Sequence, residues 1–169
     1  MEFEFKCLSC GEIHRGMPSF GAHAPLSYYE VPDEERAARC SLGTDDCVID
    51  GQWFFVRGCI EIPVHGESQA FSWGVWVSLS ESSFKQWSEC FHEENRSHIG
   101  PFFGWLNTCI KPYPETINLR SRVHLRDGHL RPCIELEPTD HPLAIEQREG
   151  ITIARVAELY AQMVHASSD

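Results

Sequence analysis

The chain has 169 residues, a formal net charge of −11 and 42% hydrophobic residues. That size and composition suit one globular domain with a sizeable core and exclude a disordered or low-complexity chain. So acidic a surface repels phosphate backbones, which argues against nucleic acid as a partner.

No run approaches the roughly 20 apolar residues of a membrane span, so no membrane role is expected. The opening Met-Glu-Phe-Glu-Phe-Lys lacks the basic and apolar regions of a signal peptide, and the expected compartment is the cytoplasm. Eight cysteines would stay reduced there. They read as metal ligands or small buried side chains rather than as disulfides.

Phe3 and Phe5 alternate with Glu2, Glu4 and Lys6, the pattern of a short strand. It leads into Cys7-Leu8-Ser9-Cys10-Gly11, with His14 four residues after the second cysteine. Residues 16–25 are rich in Gly and Pro and read as a loop. Pro32 followed by Asp33, Glu34 and Glu35 starts a short helix over 32–39. The stretch between Cys40 and Cys47 is a loop by composition. Cys47-Val48-Ile49 is a short strand, and Asp50-Gly51 is a hairpin turn.

The returning strand runs from Trp53 to Ile62, with Phe54, Val56, Ile60 and Ile62 on one face. Gly58 within it implies a bulge or a close neighbour. The clearest strand is Ala70 to Ser80. Phe71, Trp73, Val75, Val77 and Leu79 share one parity, and Trp76 marks the other face as partly covered. Residues 47–80 thus read as a three-stranded antiparallel meander.

Ser80 caps a helix over 81–94, whose stripe is Phe84, Trp87 and Phe91. Residues 102–106 are too short and too apolar to assign from periodicity. A hairpin over 117–137 follows, with Pro132 consigning its second strand to an edge or a bulge. Asp140 is the expected cap of a short helix that Gly150 ends. A last helix from Thr152 turns Ile153, Val156, Leu159, Tyr160 and Met163 to the core, and residues 166–169 should fray.

Cys7-x-x-Cys10-Gly11 after a strand has the shape of a zinc knuckle. The thiolates converge on one ion, and glycine permits the tight turn beneath them. A closed structural Zn2+ site needs two more ligands, and Cys40, Cys47 and His14 each lie in a loop or at a strand end. A redox dithiol lacks its usual context, because no helix follows Cys10 directly. Cys59, Cys90, Cys109 and Cys133 fall inside apolar patterns and read as buried. Asp140-His141 could make an oriented base. The structural reading is favoured, with Asp140 capping and His141 a satisfied hydrogen-bonding group. No nucleophile elbow, phosphate-binding glycine loop or His-Glu-x-x-His is present.

Several of these stretches occur together in one known family. They are the knuckle with His14, then Asp46-Cys47-Val48-Ile49-Asp50, Phe54-Phe55-Val56-Arg57-Gly58, the run Trp73 to Ser80, and Glu135 to Ala144. On them the chain resembles the bacterial domain-of-unknown-function family 2199 over nearly its whole length. The resemblance implies one domain and a cytoplasmic bacterial protein, and it implies no activity. It also implies a ligand set of Cys7, Cys10, His14 and Cys47, with His14 taking the place that Cys40 could fill.

The sequence therefore predicts an α+β domain over 1–169. A metal knuckle occupies 1–15, and the meander forms an antiparallel sheet carrying helices on one face. The helices of 140–165 close the chain. The leading functional reading is a zinc-stabilised, non-enzymatic binding or regulatory protein with a protein partner. An acidic inhibitor or immunity-type protein for a basic partner is the alternative. A metal-dependent hydrolase is the second alternative. It would need three protein ligands, an open metal position and a cleft holding Asp140 or His141.

Overall fold

A computed structural model describes residues 2–165. The expected fraying of 166–169 lies outside them. The fold is α+β. Strands β1 (Glu4–Lys6) and β2 (Ile13–Arg15) form a two-stranded antiparallel hairpin. Strand β3 (Ser19–Gly21) is followed by helices α1 (Leu26–Glu30) and α2 (Asp33–Arg39). Then come β4 (Cys40–Leu42), β5 (Asp46–Ile49), β6 (Trp53–Ile62) and β7 (Phe71–Leu79). Helix α3 (Glu81–Glu89) precedes β8 (Phe102–Leu106), β9 (Arg120–His124) and β10 (Cys133–Leu136). Helices α4 (Pro142–Glu149) and α5 (Ile153–Val164) complete the described chain.

The meander is present as local pairing: β5, β6 and β7 run antiparallel in order, and Asp50 and Gly51 turn the hairpin with φ of 54° and 62°. The expected open sheet is nevertheless corrected. Strands β6, β7, β8, β9 and β10 close on themselves into a five-stranded barrel, sealed by a parallel pairing of β10 with β6 at Cys133 and Cys59. The cause is the length of β6 and β7 under strand twist. Each is long enough to hold two neighbours along one edge. Strand β6 pairs with β5 up to Val56 and with β10 at Cys59. Strand β7 pairs with β3 at Ser72–Gly74 and with β8 at Val77 and Ser78.

Gly58 sits at the changeover on β6. A Cβ there would stand 2.6 Å from Ile134 Cδ1 and 2.9 Å from the Pro132 carbonyl oxygen, so only glycine lets β10 approach. Pro132 does not place β10 at an edge. It precedes the strand, so its missing donor costs no ladder bond, and its carbonyl still accepts from the Cys59 N–H at 2.9 Å.

Two core clusters follow from the alternation of side chains. The first fills the barrel and continues under the helices. Phe71, Trp73, Val75, Val77 and Leu79 are all buried in it, with Trp87 of α3, Leu143 of α4 and Val156 and Leu159 of α5. Helices thus lie around the barrel rather than on one face of a sheet. The second cluster lies on the outer side of β5, β6 and β7, where Trp76, Phe55, Cys47 and Ile49 pack with Val31 from the segment of α1 and α2. Trp76, which marks the other face of β7 as partly covered, belongs to this layer.

Some local expectations shift. Helix α3 stops at Glu89, so Phe91 packs from beyond its end. Ile153 is 40% exposed rather than core, and Cys109 is exposed rather than buried. Strands β3 and β4 lie in stretches that composition reads as loops, and helix α1 lies between the loop of 16–25 and the expected helix of 32–39.

Candidate metal centre

Strand β1 ends at Lys6 because the chain must turn back to β2, and the turn carries both cysteines. The Gly11 N–H donates to the Cys7 carbonyl at 3.0 Å and the Cys7 N–H to the Glu12 carbonyl at 2.9 Å. Gly11 takes φ of 73°, a left-handed conformation that suits glycine. Cys7 is buried and Cys10 exposed. Backbone N–H groups of Cys10 and Ser9 aim at the Cys7 sulfur and hold its thiol below the usual range.

The antiparallel register places His14 opposite Phe5 and folds its ring back over the turn. Its Nε2 lies 3.4 Å from Cys10 Sγ. The imidazole also packs against Tyr160 of α5, with ring centroids 4.7 Å apart. Phe5 meets the same tyrosine edge-on at 5.1 Å. Through Tyr160, α5 is fixed beside the knuckle, and its C-cap residue His165 is delivered to the turn. One ligand atom each from Cys7, Cys10, His14 and His165 can be chosen so that all lie within 4.8 Å of one another. This group could hold a metal ion.

Three of the four residues expected as ligands are therefore brought together, and Cys47 is not among them. It stands on β5 opposite Leu42 and Phe55, in the second core cluster, fully buried. Burial pushes its thiol up to about 12, so it keeps its proton. Cys40 begins β4, opposite Ile49, and packs against the same cluster. The knuckle docks on α5 instead. Phe3 and Phe5 also tie the hairpin to the main core.

His165 went unread because a histidine at a helix end, so far along the chain from the knuckle, has no spacing signature. The available signal was Tyr160 on the core face of the last helix, which left the end of that helix near whatever Tyr160 covered.

His141 caps α4 itself, where Asp140 was expected to. Its Nδ1 accepts the Leu143 N–H at 3.1 Å, while Nε2 lies 3.0 Å from the Glu115 carbonyl oxygen. Both ring nitrogens are thus engaged with main chain.

The chain belongs to the family described as uncharacterised proteins conserved in bacteria, DUF2199, whose model matches residues 6–151. Cys7, Cys10 and His14 lie inside the matched stretch, and His165 lies beyond it. No curated protein and no solved structure matches the chain. No helix among the described residues is long and apolar enough to cross a membrane.

Proposed function

We propose that this is a zinc-stabilised, non-enzymatic binding protein, in which Cys7, Cys10, His14 and His165 hold one structural Zn2+. The observation that carries the reading is the convergence of those four donors within 4.8 Å. Two sulfurs and two imidazoles are the donor set that Zn2+ favours over Mg2+, Ca2+ or Mn2+. In a tetrahedral site the edge between a thiolate sulfur and an imidazole nitrogen is about 3.5 Å. The 3.4 Å from Cys10 to His14 already fits, and the rest of the group need close by only ~1 Å.

Four protein ligands leave no open position for water, which favours a structural ion over a hydrolytic one. The ion would cross-link the first hairpin to the last turn of α5. Its chemistry is cohesive: it adds a cross-link at the turn itself, beyond the core anchors Phe3 and Phe5. The proposed activity is therefore recognition, with a protein as the partner. The charge of −11 favours a partner with a basic face.

Metal analysis by mass spectrometry on protein purified without added metal tests the reading. About one zinc per chain is expected, falling steeply in Cys10→Ser. Metal-free protein of unchanged melting temperature would refute it.

A further inference from the structure

The second core layer is incomplete, and the gap is a cleft of ≈650 Å³, within the size range of small-molecule sites. Its origin lies in one row of side chains across the outer barrel surface. Phe55 on β6 faces Ser78 on β7, and Ser78 faces Trp105 on β8. A small residue between two large aromatics leaves a trough. Trp53, next along β6 on the same side of the barrel, lines it too, and the segment of α1 and α2 forms the opposite wall through Val31 and Glu30. Trp53 is 59% exposed and Trp105 39%, whereas Trp73, Trp76 and Trp87 are buried. Both exposed indoles thus line this one cleft.

One directional group is built into it. Asn107 follows β8 and is only 9% exposed. Its N–H donates to the Trp76 carbonyl at 2.8 Å and its carbonyl accepts from the Leu26 N–H at 2.9 Å, which fixes its backbone. Its Oδ1 accepts the Ser27 N–H at 2.9 Å. That partner is a donor, so it settles which end of the amide is oxygen. Nδ2 must then point away from Ser27, and it has no partner among the described residues. Asn107 lines the cleft, so this donor, with no protein acceptor, is available there to a ligand. The remaining charges balance closely. Arg39 grips Asp50 in a two-point ion pair, Nε to Oδ1 and the second guanidinium nitrogen to Oδ2, each at 2.9 Å. Among the described residues Glu30 has no ion-pair partner, so it is left as the uncompensated charge of the lining.

We infer that this cleft is a binding site for a small planar aromatic molecule, neutral or cationic, that carries one hydrogen-bond acceptor. The aromatic walls take the flat body, and Asn107 Nδ2 donates to the acceptor. Glu30 on a protein of net charge −11 disfavours an anion. The site lies apart from the metal centre and does not depend on it.

Coumarin is the probe: planar, neutral, with a carbonyl acceptor and no donor. Titration of the full chain should quench tryptophan emission saturably in the millimolar range, as expected for a fragment of that size. It should also shift the Asn107 side-chain amide in a 1H–15N spectrum. Asn107→Asp keeps the acceptor for Ser27 and replaces the donor with a second acceptor. Ser78→Leu fills the trough and leaves Asn107 alone. Each should weaken binding at least about tenfold, the size of one lost hydrogen bond or blocked contact. Naphthalene, flat but without an acceptor, should bind wild type about tenfold more weakly than coumarin. Circular dichroism checks that both variants fold, and Ser78→Leu serves if Asn107→Asp does not. No saturable binding to wild type, or coumarin affinity unchanged in a folded variant, would overturn the inference.

Discussion

The Cys10 sulfur lies 3.4 Å from Nε2 of His14, across a turn whose two strands are three residues each. Hairpins so short are marginal in water, and this one is held by Phe5 and His14 against Tyr160. Because Phe3 and Phe5 are anchored in the core regardless of any ion, chelation should not release the whole of residues 2–15. Hydrogen exchange after chelator treatment is expected to rise at residues 7–14 and in the last turn of α5, while β6 and β7 stay protected. His165→Ala should weaken zinc affinity and produce the same local pattern. Uniform acceleration across the barrel would contradict the assignment of the ion to this corner.

Trp73 is 2% exposed and Val75 0%, inside the closed barrel. Truncation removes transfer energy and leaves a cavity that five hydrogen-bonded strands cannot collapse around. Trp73→Ala should cost about 3–5 kcal/mol, and Val75→Ala should cost less because fewer atoms are removed. Denaturant midpoints at unchanged slope check both. A loss in Trp73→Ala no larger than that of an exposed substitution would remove Trp73 from the core.

What the sequence made legible is what alternation and turn chemistry encode. The bounds of β6 and β7 and the buried parity of β7 were readable because a strand with one buried face writes its period into adjacent residues. Closure of the barrel was not readable. The pairing of β10 with β6 joins residues far apart in sequence through a single register point at Cys59 and Cys133, and no local period records it. Strand β8 was silent for a related reason. Its outer positions carry Phe103 and Trp105, so both faces are apolar and the period vanishes. At the metal centre, the Cys7–Cys10 spacing was local and readable, whereas His165 enters only through tertiary packing of α5.

Gly104 on β8 tests another seam of the barrel, that of β8 with β7. A Cβ there would stand 2.2 Å from Val77 Cγ1 and 2.7 Å from the Ser78 carbonyl oxygen. The second is backbone and cannot turn aside. Gly104→Ala is therefore expected to destabilise by roughly 1–3 kcal/mol or more, although alanine is ordinarily neutral to favourable in place of glycine. Thermal unfolding gives the answer. A variant as stable as wild type would mean that β8 does not lie against β7 as described.

Helix α4 depends on His141, not on its acidic neighbour. His141→Ala removes the ring nitrogen that caps Leu143 and the contact to the Glu115 carbonyl, so a loss of about 0.5–2 kcal/mol is expected. Asp140→Ala should change stability by a few tenths of a kcal/mol at most. The paired melting temperatures check the order. The reverse order would restore Asp140 as the cap.

Asp127 gives the fold a signature in acid. Its Oδ1 accepts the N–H groups of Ser97 at 2.8 Å and Arg96 at 2.7 Å, and Oδ2 accepts the Ser97 hydroxyl at 3.0 Å. Those bonds favour the charged carboxylate and hold its pKa below the ordinary value, the backbone donor of Ser97 most of all. The unfolded chain regains a pKa near 3.9. The unfolded state therefore binds the proton first, and the stability that Asp127 supplies is complete above that pH. It is lost as the pH falls through the lower folded value. The melting temperature of wild type should exceed that of Asp127→Ala by a constant margin from neutral pH down to about pH 5, and the margin should shrink as the pH drops below about 4. The same residues position Arg96, whose buried guanidinium donates to the carbonyls of Phe91, Arg126 and Leu130. Loss of Asp127 should thus loosen the 91–99 segment first, visible as faster hydrogen exchange there at neutral pH. A margin that widened in acid would mean that Asp127 contributes through its neutral form, contrary to the donors that surround it.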